Sequence, residues 1–151
     1  MKTYTHVRDL LKDSGREPVT VSAQATAVEC ASVMVDNHVD CVLAMNEGKL
    51  AGLVTAHDLV SGLAGKREQL VNTPASELMT RELITTSEDT ELENVESQMK
   101  SEHIHYLPVL ADGKVVGVVT LADVLSLHLN REQSVESELE NYIYGVTRPR
   151  F

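Results

Sequence analysis

Two stretches decide how this chain folds: Gly52-Leu53-Val54-Thr55-Ala56-His57-Asp58 and Gly117-Val118-Val119-Thr120-Leu121-Ala122-Asp123. Both read Gly-apolar-Val-Thr-x-x-Asp, a strand-like run that turns directly into a helix, with Thr placed to cap it and Asp on its first turn. They lie 65 residues apart, and shifting the whole chain by 65 superimposes residues 19–60 on 84–125 without a gap. Eleven of those 42 pairs are identical, including Thr20/Thr85, Met34/Met99, His38/His103, Gly48/Gly113, Gly52/Gly117, Thr55/Thr120 and Asp58/Asp123. Chance at ordinary composition gives about three. Many other pairs are conservative, such as Val19/Ile84, Leu53/Val118 and Leu59/Val124. The chain is a duplication.

Working outward, each copy carries the same order of signals. A short apolar segment, Val19 to Val21 or Leu83 to Thr85, predicts a first strand. Thr26-x-x-Glu29 and Thr90-x-x-Glu93 have the form of capping boxes and predict helix starts. Helix-period apolar residues follow, Ala27, Cys30, Ala31 and Met34 in one copy and Leu92, Val95 and Met99 in the other. Cys41 to Met45 and Tyr106 to Leu110 predict strands, joined across Asn46-Glu47-Gly48 and Ala111-Asp112-Gly113 to Leu50–Thr55 and Val115–Thr120 as hairpins. A second helix starts at Thr55 or Thr120. The fold class is α+β, with the order β-α-β-β-α twice. Upstream, Val7-Arg8-Asp9-Leu10-Leu11 echoes Ala75-Ser76-Glu77-Leu78-Met79 at an offset of 68, the extra residues falling in the Lys12 to Pro18 turn. Asn72-Thr73-Pro74 marks the boundary, because Pro restricts the residue before it and disfavours a continuing helix. The expected division is therefore 1–70 for the first copy, 71–130 for the second and 131–151 for a C-terminal tail. Val135, Leu139, Tyr142 and Ile143 give that tail the spacing of an amphipathic helix.

Composition narrows the function. The 151 residues are 42% hydrophobic and 24% charged, but only 3% aromatic with no Trp, so the core rests on Val, Leu, Ile, Ala and Met. Lys plus Arg number 13 against 23 Asp plus Glu, a formal charge of −10, which argues against a broad nucleic-acid face or an anionic-membrane binder. Cys30 and Cys41 share no metal-ligand spacing and read as buried thiols in a reducing compartment. The N-terminal residues open no apolar signal region and no apolar run reaches membrane-spanning length, so the expected location is cytoplasmic. No P-loop, nucleophile elbow, HExxH or CxxC occurs, and no enzyme activity is expected.

With its two Gly-apolar-Val-Thr-x-x-Asp motifs and the Leu107-Pro108-Val109 strand, the chain resembles a tandem pair of cystathionine β-synthase (CBS) domains, a Bateman module, of the standalone bacterial or archaeal type. The likeness covers roughly residues 6–130. It implies two repeats packed through their sheets with pseudo-twofold symmetry, leaving inter-repeat clefts for an adenosyl compound: AMP, ADP, ATP or S-adenosylmethionine. It also implies a homodimer of such pairs, a regulated protein partner and no catalytic cofactor. The alternative is a structural dimerisation module with vestigial clefts.

The residues support that resemblance chemically. A carboxylate on the first helical turn can accept both hydrogens of a vicinal ribose diol. The Thr hydroxyl and the unsatisfied N–H groups behind it suit a phosphate, and Gly52 and Gly117 allow close approach of a strand or a ligand. The same Thr-x-x-Asp is also a plain capping box, and Asp serves both roles only if its oxygens are shared. In the second copy the ligand-binding candidates are Thr85, His105, Tyr106, Pro108, Thr120 and Asp123. In the first they are Thr20, Thr55 and Asp58. The copies are unequal: His105 aligns with Asp40, and Leu43 stands where the second copy has Pro108. The second-copy cleft is therefore the better anion site, and binding of AMP or ATP should tighten as pH falls through the histidine range. His103 and His105, two apart, lack a third ligand at telling spacing, so no metal is expected. His57 reads as a polar face residue, and Glu132, Glu136, Glu138 and Glu140 as a solvated helix face.

Overall fold

In the computed structural model, residues 4–15 and 17–127 are described, so the expected tail helix lies outside the described residues. Along the chain run α1 (Val7–Ser14), β1 (Thr20–Ser22), α2 (Ala27–Asn37), β2 (Cys41–Asn46), β3 (Lys49–Thr55) and α3 (Ala56–Lys66). A 3-10 turn (Arg67–Asn72) leads to α4 (Ala75–Leu78), β4 (Thr86–Ser87), α5 (Leu92–Glu102), β5 (Tyr106–Ala111), β6 (Lys114–Thr120) and α6 (Leu121–Ser126). The strands form two three-stranded sheets, β1-β2-β3 and β4-β5-β6. Each copy is thus β-α-β-β-α, as the repeat predicts. Two compact units result, one drawn from residues 17–85 and 110–117, the other from 4–15, 86–109 and 118–127.

Each hairpin closes through two residues with positive φ, Glu47 (52°) and Gly48 (78°), and Asp112 (52°) and Gly113 (78°). Those are the signs of a type I′ turn, whose twist matches that of the flanking strands. The helix ends repeat as well, α2 stopping at left-handed His38 (φ 54°) and α5 at left-handed His103 (φ 55°). In the first sheet β1 runs parallel to β2 and β2 antiparallel to β3, with a register shift at Ala44/Met45. Its core gathers Val21, Cys30, Met34, Val42, Ala44, Val54 and Ala75. The second copy buries Leu92, Val95, Met99, Leu107, Val109, Val119, Val124 and Leu125.

The helix before each copy is held in the same way. Ala75 and Ser76 of α4 donate backbone N–H groups to the carbonyls of Ala25 (2.7 Å) and Ala23 (2.9 Å), while Ala27, which opens α2, donates to Thr73 (2.8 Å). Val7 and Arg8 of α1 donate to Thr90 (2.9 Å) and Glu88 (3.0 Å), while Leu92, which opens α5, donates to Thr5 (2.9 Å). A carbonyl from an incoming segment therefore satisfies a first-turn N–H that would otherwise lack a partner.

Three expectations are corrected. The second copy's helix is capped at Glu91, one residue later than Thr90-x-x-Glu93 suggests, and Glu91 makes no side-chain cap bond. The Thr90 hydroxyl is spent instead in the preceding turn, 3.2 Å from Ser87 Oγ. Glu91 is the residue that the 65-residue shift pairs with Thr26, whose hydroxyl does accept from Glu29 N–H (3.2 Å). Second, the expected strand at Leu83–Thr85 begins only at Thr86. In the first sheet Leu43 N–H donates to the Val19 carbonyl (2.9 Å), and Thr20 pairs with Leu43. Pro108 stands in Leu43's place and has no N–H to give to Ile84, so Thr85 drops out of the ladder. Third, Cys30 is fully buried but Cys41, first in β2, is only half-buried. Burial, reinforced by the charge of Glu29, pushes the Cys30 thiol up in pKa and keeps it protonated.

Candidate functional site

Both Thr-x-x-Asp motifs form reciprocal capping boxes. Thr120 holds extended backbone (φ −100°, ψ 158°) and caps α6; its Oγ1 accepts from Asp123 N–H at 3.0 Å, and Asp123 Oδ2 accepts from Thr120 N–H at 2.9 Å. Thr55 and Asp58 reproduce this at the start of α3, with 3.1 Å and 2.8 Å. All four side chains are half-buried, so each carboxylate is fixed by its helix yet reachable. A carboxylate offers about four acceptor positions, and the cap uses one. Oδ1 of Asp58 takes no hydrogen bond among the described residues.

The residue before the middle strand is drawn to the same place. Leu121 N–H, the first of α6, donates to the His105 carbonyl (2.9 Å), and Ala56 N–H donates to the Asp40 carbonyl (2.8 Å). Each copy therefore ties three groups together: the Thr hydroxyl, the Asp carboxylate, and the backbone of His105 or Asp40. This carbonyl clasp is a backbone bond made alike by His105 and Asp40, and it leaves no mark in the side-chain pattern of the sequence.

The other candidates stand as follows. His105 is exposed, and its ring lies 6.4 Å from that of half-buried Tyr106, the first residue of β5. Thr85 is exposed just ahead of β4, whereas Thr20 is exposed within β1. Pro108 is fully buried in β5, so it shapes the strand instead of presenting a surface. Gly52 answers to a neighbouring segment: an added Cβ would meet Met79 Sδ at 2.5 Å and the Thr80 carbonyl oxygen at 2.8 Å. Leu53 and Thr80 exchange backbone bonds there, at 3.1 Å and 2.9 Å. Among the described residues no cluster of three metal-ligating side chains occurs, and no helix is long and apolar enough to cross a membrane.

A family model described as CBS domain matches residues 7–65 and again 75–130. The CBS domain-containing protein YhcV of Bacillus subtilis is 32% identical over 124 residues, covering 81% of this chain and 86% of that protein. L-aspartate semialdehyde sulfurtransferase of Methanocaldococcus jannaschii is 30% identical over 125 residues, 82% of this chain, but the chain spans only 23% of that protein's length. Among solved structures, the CBS domain pair of protein MJ0100 in complex with 5-methylthioadenosine and S-adenosyl-L-methionine is 29% identical with a TM-score of 0.76, covering 86% of this chain and all of the other.

Proposed function

The chain belongs to the CBS-domain family, and from that premise we propose that it is a regulatory module binding an adenosyl compound (AMP, ADP, ATP or S-adenosylmethionine) at its Thr-x-x-Asp sites. Occupancy passes to a protein partner or across a homodimer by shifting the population of two packings, which requires that the ligand bind one of them better. The observation that carries this reading is the Thr120–Asp123 pair clasped to His105. It holds a carboxylate for a ribose diol beside a side chain that can donate to phosphate. The relative bound to 5-methylthioadenosine and S-adenosylmethionine supports the adenosyl class.

The proposed contacts in the second copy are Asp123 to the ribose, Thr120 and His105 to the phosphate or its substitute, and Tyr106 and Thr85 around the base, with Pro108 holding the strand in shape. Thr20, Thr55 and Asp58 provide the weaker first-copy site, where Asp40 repels an anion. The chemistry required is recognition alone, so no bond is made or broken.

Calorimetry with AMP, ATP, 5-methylthioadenosine and S-adenosylmethionine tests it. Asp123→Ala removes hydrogen bonds to a charged acceptor, worth about 1.5–3 kcal/mol, or roughly tenfold or more in affinity. Unchanged affinity overturns the reading. One observation favours a second reading, a structural module with vestigial sites: the cap alone explains why each Asp is where it is. An absence of thermal shift with all four ligands, in a chain that still self-associates, would establish that alternative.

A further inference from the structure

Helix α5 has no side-chain cap of its own. Its N-cap residue, Glu91, makes no such bond, whereas the equivalent helix α2 is capped by Thr26 Oγ1, which accepts from Glu29 N–H. Both helices also receive a carbonyl from an incoming segment, Thr73 onto Ala27 N–H and Thr5 onto Leu92 N–H. For α2 that carbonyl is a second support; for α5 it stands in place of the missing cap.

The segment that supplies the Thr5 carbonyl is lightly held. Val7 is the one buried residue of α1. The other attachments are polar: Val7 and Arg8 donate N–H groups to Thr90 and Glu88, His6 bridges to Glu91, and the exposed Arg8 guanidinium pairs with exposed Asp89. Thr5 is aimed from within the same segment, because Asp9 Oδ2 accepts from its N–H (3.0 Å) and from its hydroxyl (3.2 Å). Left-handed Gly15 (φ 60°) then ends the helix. One buried side chain and a few backbone bonds near the surface are the conditions for local opening, in which an element leaves while the rest stays folded.

We infer that α1 is a latch: it opens as a unit, taking the Thr5 carbonyl with it, and its closure orders α5 and through α5 the strand entrance at His105. Helix α5 starts at Leu92, packs against α6 and ends at left-handed His103, two residues before the His105 carbonyl that clasps Leu121 N–H. One end of α5 therefore meets the latch and the other leads to the Thr120–Asp123 site. The device belongs to the second copy, since Thr26 gives α2 its own cap. It rests on the proposed ligand reading at one point. A ligand that binds better when His105 and α6 are ordered favours closure, and closure strengthens that ligand by the same factor.

Amide exchange of the full chain, with and without saturating AMP, tests the latch together with calorimetry. In the free chain the amides of Val7, Arg8 and Leu92 should exchange together, about tenfold or more faster than those of Met34 and Met99 inside α2 and α5. Saturating AMP should slow all three about fivefold. Val7→Asp, which puts a charge into the buried slot, should leave Arg8 and Leu92 unprotected and weaken AMP by the factor by which AMP slowed them. Adding Glu91→Thr returns a cap to α5 and should restore the affinity while Arg8 still exchanges freely; adding Glu91→Gln, which removes the same charge without supplying a cap, should not. If Val7→Asp fails to fold by circular dichroism, Arg8→Glu sets like charge against Asp89 at the surface and should speed Arg8 and Leu92 about threefold, with Met34 unchanged. Exchange of Val7 and Leu92 at the rate of the core, different responses of Arg8 and Leu92, exchange indifferent to bound AMP, or equal rescue by the two Glu91 variants overturns the inference. If AMP does not bind, the ligand reading falls instead, and exchange of Arg8 and Leu92 in the free chain alone decides the latch.

Discussion

In the first copy, Leu43 donates its N–H to Val19 and Asp40 stands before the middle strand; in the second, Pro108 and His105 occupy those places. The backbone plan survives both exchanges. The hairpin turns, the left-handed helix ends and the reciprocal Thr–Asp caps agree closely between copies. What changes is the local ladder and the charge beside the cap. Duplication therefore conserves the scaffold through turn and cap chemistry and leaves the strand entrance free to diverge.

The strongest way to break this comparison is to exchange the strand residues. Leu43→Pro leaves the Val19 carbonyl without its donor, costing about 1–3 kcal/mol, and removes buried side-chain carbon worth roughly another 1–2 kcal/mol. A fall of about 2–5 kcal/mol in unfolding free energy is expected by chemical denaturation. The reverse exchange, Pro108→Leu, supplies an N–H for Ile84, and hydrogen exchange should show new protection at residue 108. If Leu43→Pro is neutral, the shorter β4 has some other cause.

Gly52→Ala is next. Its Cβ would collide with Met79 Sδ and the Thr80 carbonyl. Met79 can swing away, but the backbone oxygen is held by its bond from Leu53 N–H, so a loss of about 1–3 kcal/mol is expected. Adding Met79→Ala should recover little of it. Full recovery in the thermal melt would place the whole clash on the side chain.

The charge exchange is smaller and concerns the ligand. His105→Asp should weaken AMP or ATP binding about tenfold and leave adenosine nearly unaffected, since only the phosphate feels the added negative charge. Asp40→His should raise phosphate affinity at the first-copy site. Equal effects on adenosine and AMP would show that residue 105 does not face the phosphate.

Much of this was legible before the structure because the repeat supplied its own control. The hairpins, the Thr55 and Thr120 caps and the order of elements each appear twice, and a signal seen at one offset is hard to mistake. The misses come where the second copy departs from that offset. Thr90 suits a cap by its side chain, although Glu91 holds the equivalent position. The apolar residues Leu83–Thr85 predict a strand by hydrophobicity alone, whereas the missing N–H of Pro108 sets where pairing begins. The clasp from His105 or Asp40 to the helix start is a backbone bond, to which side-chain patterns are blind.

A last contrast separates α1 from α4, the two helices that open the copies. Asp9 Oδ2 accepts from the N–H groups of Thr5 (3.0 Å) and His6 (3.0 Å), and these bonds, chiefly the one from His6, hold its carboxyl below the ordinary value of 3.8. The counterpart of His6 ahead of α4 is Pro74, which has no N–H, so Glu77 cannot cap in the same way. A carboxyl with a lowered folded-state pKa contributes its full stabilisation above the unfolded-state value, and that contribution fades as pH falls through the folded-state value. Asp9→Asn should therefore destabilise the chain relative to wild type at about pH 7, and the gap should close below about pH 4. Because Asp9 is only half-buried and water screens its charge, the effect is the smallest of the four and is best read from amide exchange at Val7 and Arg8, whose N–H groups anchor α1 to Thr90 and Glu88. A gap of constant size across that pH range would mean that Asp9 anchors α1 through its shape and not through its charge.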